Sequence, residues 1–227
     1  MAQNPGKFAL LIEFFALFVA LPCAYFFGAP LAPRDSIFWK IAASPLPGLA
    51  LMAYYCYTRL RSDPLFERTR LWSADRVGQF APSILVTFAI IALLIGVGVW
   101  MLAPERLFSF VRSNPRFWAV IMCFYPVLSV YPQSLIYRAF LFQRYRSILS
   151  SERILVVISA VVFSFAHIIF RNPIALVFTL VGGWLFANRY RQSRSLFVSA
   201  FEHSLYGCFM FTIGLGTFFY HGAALPR

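Results

Sequence analysis

Long apolar runs separated by short, arginine-bearing connections set the pattern of this chain. A helix needs about 20 predominantly apolar residues to cross a bilayer. On that yardstick seven segments qualify, near 8–27, 37–58, 80–103, 117–142, 154–170, 173–188 and 195–220. Each is predicted helical, because backbone polar groups in lipid must be satisfied within the segment. The expected fold is therefore all-α: a polytopic transmembrane helical bundle of about seven spans, with eight possible, forming a single integral membrane domain over 1–227. Pro45 and Pro47 fall inside the second apolar run, where loss of a backbone donor predicts a broken or kinked helix. Gly96, Gly98, Gly182 and Gly183 are expected to let helices approach closely. The first run carries Glu13, lacks a small-residue cleavage site and is followed by further spans, so it reads as a retained helix.

Composition strengthens this picture. Of 227 residues, 60% are hydrophobic and 12% charged, and the mean hydropathy of +0.72 lies outside the range of soluble domains. The net charge of +12 would point to nucleic acid in a soluble chain; here the arginines sit between apolar runs, where they set topology and meet anionic lipid head groups. A nucleic-acid role is thereby excluded from the expectations. Arg59, Arg61, Arg68, Arg70 and Arg76 crowd the second connection, Arg144, Arg146 and Arg153 the fourth, and Arg189, Arg191 and Arg194 the sixth. By the positive-inside rule these connections face the cytoplasm, as does the N-terminus, in a multi-pass protein of the cell membrane; Arg106, Arg112 and Arg116 in the third connection run against that assignment. The segment 59–77 mixes arginine with Leu, Phe and Trp, a pattern shared by a surface-lying amphipathic segment and a solvated loop. Cys23, Cys56, Cys123 and Cys208 are dispersed and signal neither a disulfide framework nor a zinc cluster.

A few polar residues interrupt the apolar runs. Arg138, with Gln133 and Ser134, lies within SVYPQSLIYRAFLF, and an arginine at that depth costs several kcal/mol unless it faces a polar interior. Ser134 and Arg138 are four residues apart and share a helix face. Phe163 and His167 repeat that spacing in the next run. If the fourth helix extends to Leu149 and turns at Ser150-Ser151-Glu152, Gln133 and His167 both lie about 24 Å from the turn, at one level of a hairpin. The last run supplies Glu202 and His203, which diverge by about 100° around the helix. The expected division puts His203 at a site and Glu202 against Arg138, since intramembrane charges are tolerated when paired. Glu13 has no assigned partner, Lys40 being one candidate.

These segments resemble the CPBP family of intramembrane proteases, also called the Abi or CAAX-protease family, over about residues 117–215. The family pattern is EExxxR in one helix, FxxxH in the next, and HxxxN or a close variant in a later one. Here it reads Gln133-Ser134 with Arg138, then Phe163 with His167, then His203 with Gly207. The resemblance implies a peptidase acting on a membrane-embedded or lipidated peptide or protein, in which a first-motif glutamate and the second-motif histidine activate water. It also implies that the third-motif histidine and asparagine stabilise the oxyanion.

Two departures bear on that mechanism. Ser134 stands where the catalytic glutamate is expected, and a serine hydroxyl cannot serve as general base. Gly207 replaces the third-motif asparagine, for which a main-chain N–H or Tyr206 could substitute. Three explanations fit: an active-site variant of a working protease, a non-catalytic homologue that binds membrane peptides, or a carboxylate role taken over by Glu202 beside His203. A Ser134–His167 nucleophile requires a hydrogen bond between them. A small transporter using Arg138 and Glu202 is the competing class. No cofactor is expected; zinc on His167, His203 and Glu202 is possible but disfavoured, because adjacent Glu-His ligands on one helix make an awkward geometry.

Overall fold

Residues 6–28 and 44–219 are described in a computed structural model of the chain, and every regular element among them is helical. The long helices are α1 (Lys7–Gly28), α2 (Pro45–Arg61), α4 (Val77–Leu102), α6 (Pro115–Arg144) and α7 (Glu152–Phe170), α8 (Pro173–Ser193) and α9 (Leu196–Ile213). Two short helices sit in connections: α3 (Thr69–Trp72) and α5 (Ser109–Ser113).

The chain is a polytopic membrane protein, but among the described residues five helices, not seven, are long and apolar enough to cross a bilayer: α1, α4, α6, α7 and α9. Helix α8 has 21 residues but ends in Asn188, Arg189 and Arg191, which dilute its apolar character. Helix α2 has 17 residues, and the start of the expected second span, 37–43, lies outside the described residues.

Helix boundaries follow local chemistry. Pro45 and Pro47 do not kink α2; they open it behind Ser44, in the first turn, where the missing N–H would have had no partner within the helix. Asn114-Pro115 and Asn172-Pro173 use one device twice. Each asparagine accepts a hydrogen bond from the backbone N–H three residues on, at 3.3 Å from Phe117 and 2.8 Å from Ala175, while the proline pre-sets the first turn. Ser195 caps α9 through the Val198 N–H at 3.2 Å. Helix α9 ends at Gly214, whose φ of +103° lies in the left-handed region; a Cβ there would stand 1.8 Å from the Arg106 carbonyl oxygen.

Within the bundle, α7 and α8 form the closest-packed hairpin. A Cβ on Gly183 would fall 3.0 Å from Ala160 Cα and 3.0 Å from Phe163, so the helices meet at van der Waals distance because residue 183 has no side chain. Gly96 and Gly98 do not play this part: nothing lies within 4 Å of their Cβ positions. They belong to α4, whose exposed Ile90, Leu93, Leu94 and Trp100 form an apolar outer face suited to lipid. Phe66 and Leu71 are buried while Leu65 and Trp72 are exposed, and Trp72 stacks on Tyr131 at 5.1 Å.

Hydrogen bonds gather the even-numbered connections at one end. Arg76 donates to Ser193 O at 2.7 Å, Ser195 to Ser73 O at 2.7 Å, and Arg194 pairs with Glu152. The opposite end joins Asn172 to Phe218 O at 2.9 Å and Arg106 to Thr217 at 3.4 Å.

Candidate functional site

Helix α6 ends at Arg144, short of the expected Leu149, and widens into a π-helical turn over Leu135–Phe140. Such turns recur at functional sites because the extra residue per turn re-aims side chains. Arg138 lies in it and is completely buried. Its guanidinium sits 4.3 Å from the centroid of Phe163 and 5.4 Å from that of Phe186. Ser159 on α7 donates to the Tyr137 carbonyl at 2.6 Å, which locks α6 to α7 at this level.

Phe163 and Phe186 organise the rest. The His167 ring lies 4.6 Å from Phe163. The His203 ring lies 5.5 Å from Phe163 and stacks on Phe186 at 4.5 Å. Tyr206 meets Phe186 at 5.8 Å. Arg138, His167 and His203, from three helices, thus share one aromatic ring. His167 Nδ1 is 2.6 Å from the Phe163 carbonyl oxygen. A carbonyl only accepts, so the proton is on Nδ1 and Nε2 keeps its lone pair. That is the state a base or hydrogen-bond acceptor needs.

The expected charge pairing is not what the structure contains. Glu202 does not meet Arg138; Arg189 on α8 grips it with two hydrogen bonds of 3.0 and 3.1 Å and also reaches Ser83 at 3.0 Å. Residues 202 and 203 diverge around α9 as their adjacency dictates, so His203 turned toward Phe186 leaves Glu202 facing Arg189. Glu13 pairs with Arg144 at 2.7 Å, and Lys40 lies outside the described residues. Among the described residues, Arg138 Nε, Nη1 and Nη2 have no hydrogen-bond partner, nor do Ser134 Oγ, Gln133 Oε1, His203 Nδ1 and Tyr206 Oη. Gln133 uses its amide to donate to Ser129 at 2.7 Å.

Ser134 and His167 are not hydrogen-bonded, since the Ser134 hydroxyl has no partner. Among the described residues no group of three His, Cys, Asp or Glu side chains is arranged to hold a metal. Gly207 packs directly under Tyr125: a Cβ there would lie 2.3 Å from Tyr125 Cε1 and 2.5 Å from its hydroxyl. Two apolar clefts among the described residues lie elsewhere, one between α4 and α9 (Phe88, Ser204, Cys208, Thr212) and one between α7 and α8 (Val157, Leu180, Trp184). Neither is lined by Gln133, Ser134, His167 or His203, so the polar residues converge on aromatic rings rather than around either cleft.

Sequence reasoning passed over Phe186, Tyr125 and Arg189. Phe186 sits in an apolar run that offers no motif, Arg189 was read only as one of the topology-setting arginines of the sixth connection, and Tyr125 becomes visible only through its contact with a glycine 82 positions later.

A buried arginine and two histidines meet one aromatic ring inside a helical membrane bundle. Residues 113–209 match the family model described as "Type II CAAX prenyl endopeptidase Rce1-like". That segment, somewhat under half of the chain, is homologous to this CAAX-protease-like family of membrane proteins and contains every residue of the candidate site. The matched family is related to, but distinct from, the CPBP family that the motifs resemble. No curated protein and no solved structure matches the chain.

Proposed function

We propose that this chain is a peptidase-type membrane scaffold that presents a membrane-embedded or lipidated peptide to His167 and His203, and that as written it lacks the base needed to cut it. One observation carries the reading: within the matched segment, Arg138, His167 and His203 converge on Phe163, while the three glutamates of the long apolar helices, Glu13, Glu152 and Glu202, are held in ion pairs elsewhere. Glu202, gripped bidentately by Arg189, is not free to act beside His203. Ser134, unbonded to any histidine, is not an activated nucleophile. What is missing is a carboxylate on the Ser134 face of α6, from which a water bound to His167 Nε2 would be activated.

The same reading takes the whole chain as one membrane domain in contact with lipid and crossing seven times, with α2 and α8 completing the five strongly apolar helices. The N-terminus and the arginine-rich connections face the cytoplasm, supported by the bonds that gather Ser73, Arg76, Glu152, Ser193 and Arg194 at one end.

The decisive experiment restores the acid. Ser134→Glu should confer cleavage of membrane-anchored peptides, and His167→Ala in that background should remove it. If Ser134→Glu stays inert on a broad panel of such peptides, the peptidase scaffold is abandoned.

A further inference from the structure

The connection between α2 and α4 carries a surface that the candidate site does not use. The bundle fixes it at three points: Asp63 accepts from Gln143 at 2.6 Å, Leu71 O from the Tyr131 hydroxyl at 3.0 Å, and Ser73 O from Ser195 at 2.7 Å. Phe66 and Leu71 are buried, whereas Leu65 is 69% and Trp72 66% exposed. Trp72 lies flat on Tyr131, ring centroids 5.1 Å apart and planes 16° from parallel. Tyr131 belongs to the membrane-crossing helix α6, so the free face of the indole is turned to whatever surrounds that span. Tryptophan gathers where a bilayer meets water, because its ring is apolar and its N–H polar.

Beside these apolar groups the segment is positive. Arg61 and Arg68 are exposed, and Arg68 Nη2 donates to the Arg61 carbonyl oxygen at 3.1 Å, which brings its guanidinium to the end of α2. That bond uses one of five donors in the fork. The nearby carboxylates are engaged elsewhere, Asp63 with Gln143 and the Leu65 N–H and Glu67 with Arg70 at 2.8 Å, while Asp75 is exposed next to Arg76. Among the described residues neither Arg61 nor Arg68 has an ion pair. Guanidinium groups take phosphate oxygens in paired hydrogen bonds. Free cations beside exposed Leu and Trp, on a segment held across one end of a bundle, form the pattern of a basic amphipathic stretch in the head-group layer.

We infer that the segment from Arg61 to Arg76 docks on the phosphate head groups of anionic phospholipids, with Arg61 and Arg68 as the phosphate ligands and Leu65 and Trp72 among the upper acyl chains. A lipid is the partner, rather than a free phosphate, because the cations share one segment with two exposed apolar side chains and that segment stands against α6. A zwitterionic lipid brings its own cation to its phosphate, whereas an anionic one leaves that charge to the arginines. A segment bound to head groups is one of the two forms that the sequence of 59–77 allows, and it stands apart from the peptidase reading.

The full-length protein, reconstituted in phosphatidylcholine vesicles with a minority of phosphatidylglycerol, tests this. Bromine, which quenches tryptophan on contact, is carried on the acyl chains of one lipid or the other at equal mole fraction. The part of the fluorescence lost in Trp72→Phe is the signal of Trp72. That signal should report phosphatidylglycerol enriched about fivefold over its share of the bilayer, the scale of one arginine near an anionic surface. The enrichment should disappear in Arg61→Gln/Arg68→Gln and persist in Arg146→Gln/Arg153→Gln, which removes the same charge from exposed positions around the α6–α7 turn. Equal quenching by the two lipids overturns the inference, and no quenching of Trp72 by either makes the segment a solvated loop. Enrichment that survives Arg61→Gln/Arg68→Gln, or is lost equally in both double variants, removes Arg61 and Arg68 as ligands. Excess glycerol phosphate that abolishes the enrichment overturns the lipid in favour of a soluble phosphate. Should the Arg61/Arg68 variant fail to fold, Arg61→Gln alone keeps the Arg68 bond to the main chain; it should weaken the enrichment, and an unchanged value overturns the assignment.

Discussion

Gly207 and Tyr125 make a prediction that can be worked from distances. A methyl group at residue 207 would lie 2.3 Å from Tyr125 Cε1, 2.7 Å from Cζ and 2.5 Å from the hydroxyl oxygen, against an optimum of about 3.5–4.0 Å between carbons. The phenol must therefore retreat by more than an ångström, and Phe211, edge-on at 5.4 Å, stands behind it. Overpacking of this kind costs about 1–3 kcal/mol, while replacing a mid-helix glycine with alanine returns up to about 1 kcal/mol. Gly207→Ala should thus be neutral to destabilising in the native chain. In a Tyr125→Ala background the clash is gone and only the propensity gain remains, so the same substitution should stabilise. The coupling between the two sites should be about 1–3 kcal/mol in a double-mutant cycle, read from thermal unfolding in one detergent. A Gly207→Ala effect of the same sign and size in both backgrounds would refute the contact. The cycle also bears on the site: an asparagine at 207, as in the family pattern, should fold well only when Tyr125 is made small, because the phenol stands where that side chain would begin.

Three further outcomes follow from the same geometry. Glu202→Gln strands the largely covered Arg189 and should cost about 3–5 kcal/mol, whereas Arg138→Met removes a cation that has no anionic partner among the described residues and should leave melting unchanged or raise it; the reverse order in thermal unfolding would reinstate an Arg138–Glu202 pair. Asn172→Ala removes the cap of α8 and the tie to Phe218, so stability should fall by about 1–2 kcal/mol, measurable as a lower melting temperature with the bundle otherwise intact. Outside the membrane, the hydrogen bonds from Arg70 hold the exposed Glu67 carboxyl below its ordinary value. Its small contribution is present above the unfolded value and is lost as pH falls through the folded one, so Glu67→Gln should flatten the acid limb of the stability profile and leave the neutral region unchanged.

How much of this was legible in the sequence depends on whether the information lies along one helix or between two. Helix existence was readable from apolar runs, and Arg138 on one expected face does meet Phe163 on the other, although α6 ends at Arg144 rather than at the Leu149 from which depth was counted. The same counting, applied to the α8–α9 turn at Arg194-Ser195, puts Arg189 and Glu202 at similar levels and would have found their pair. It was missed because Arg189 was grouped with the arginines that set topology, although its side chain is only 11% exposed. The roles of Pro45 and Pro47 were missed for a different reason: a proline is equally at home opening a helix and bending one, and only the position of the helix start distinguishes the two. Gly96 and Gly98 looked like Gly183 in sequence and differ only in having no helix opposite.

Pairing by depth leads back to Arg138. Glu202 and Arg189 close the α8–α9 hairpin, and Glu13 and Arg144 join α1 to α6, so the charges that hold helices together come in opposite signs at matching levels. Arg138 is the buried exception among the described residues of α6. A fold that tolerated it for packing alone would do better with a methionine of similar volume, since an unpaired buried charge costs several kcal/mol. Conserving a cation there makes physical sense where a ligand supplies the anion, and the melting comparison of Arg138→Met with Glu202→Gln separates these cases before any substrate is found. A site arginine should cost stability in the absence of ligand, and a structural one should provide it. If Arg138→Met lowers the melting temperature as far as Glu202→Gln does, the charge belongs to the architecture and not to a ligand.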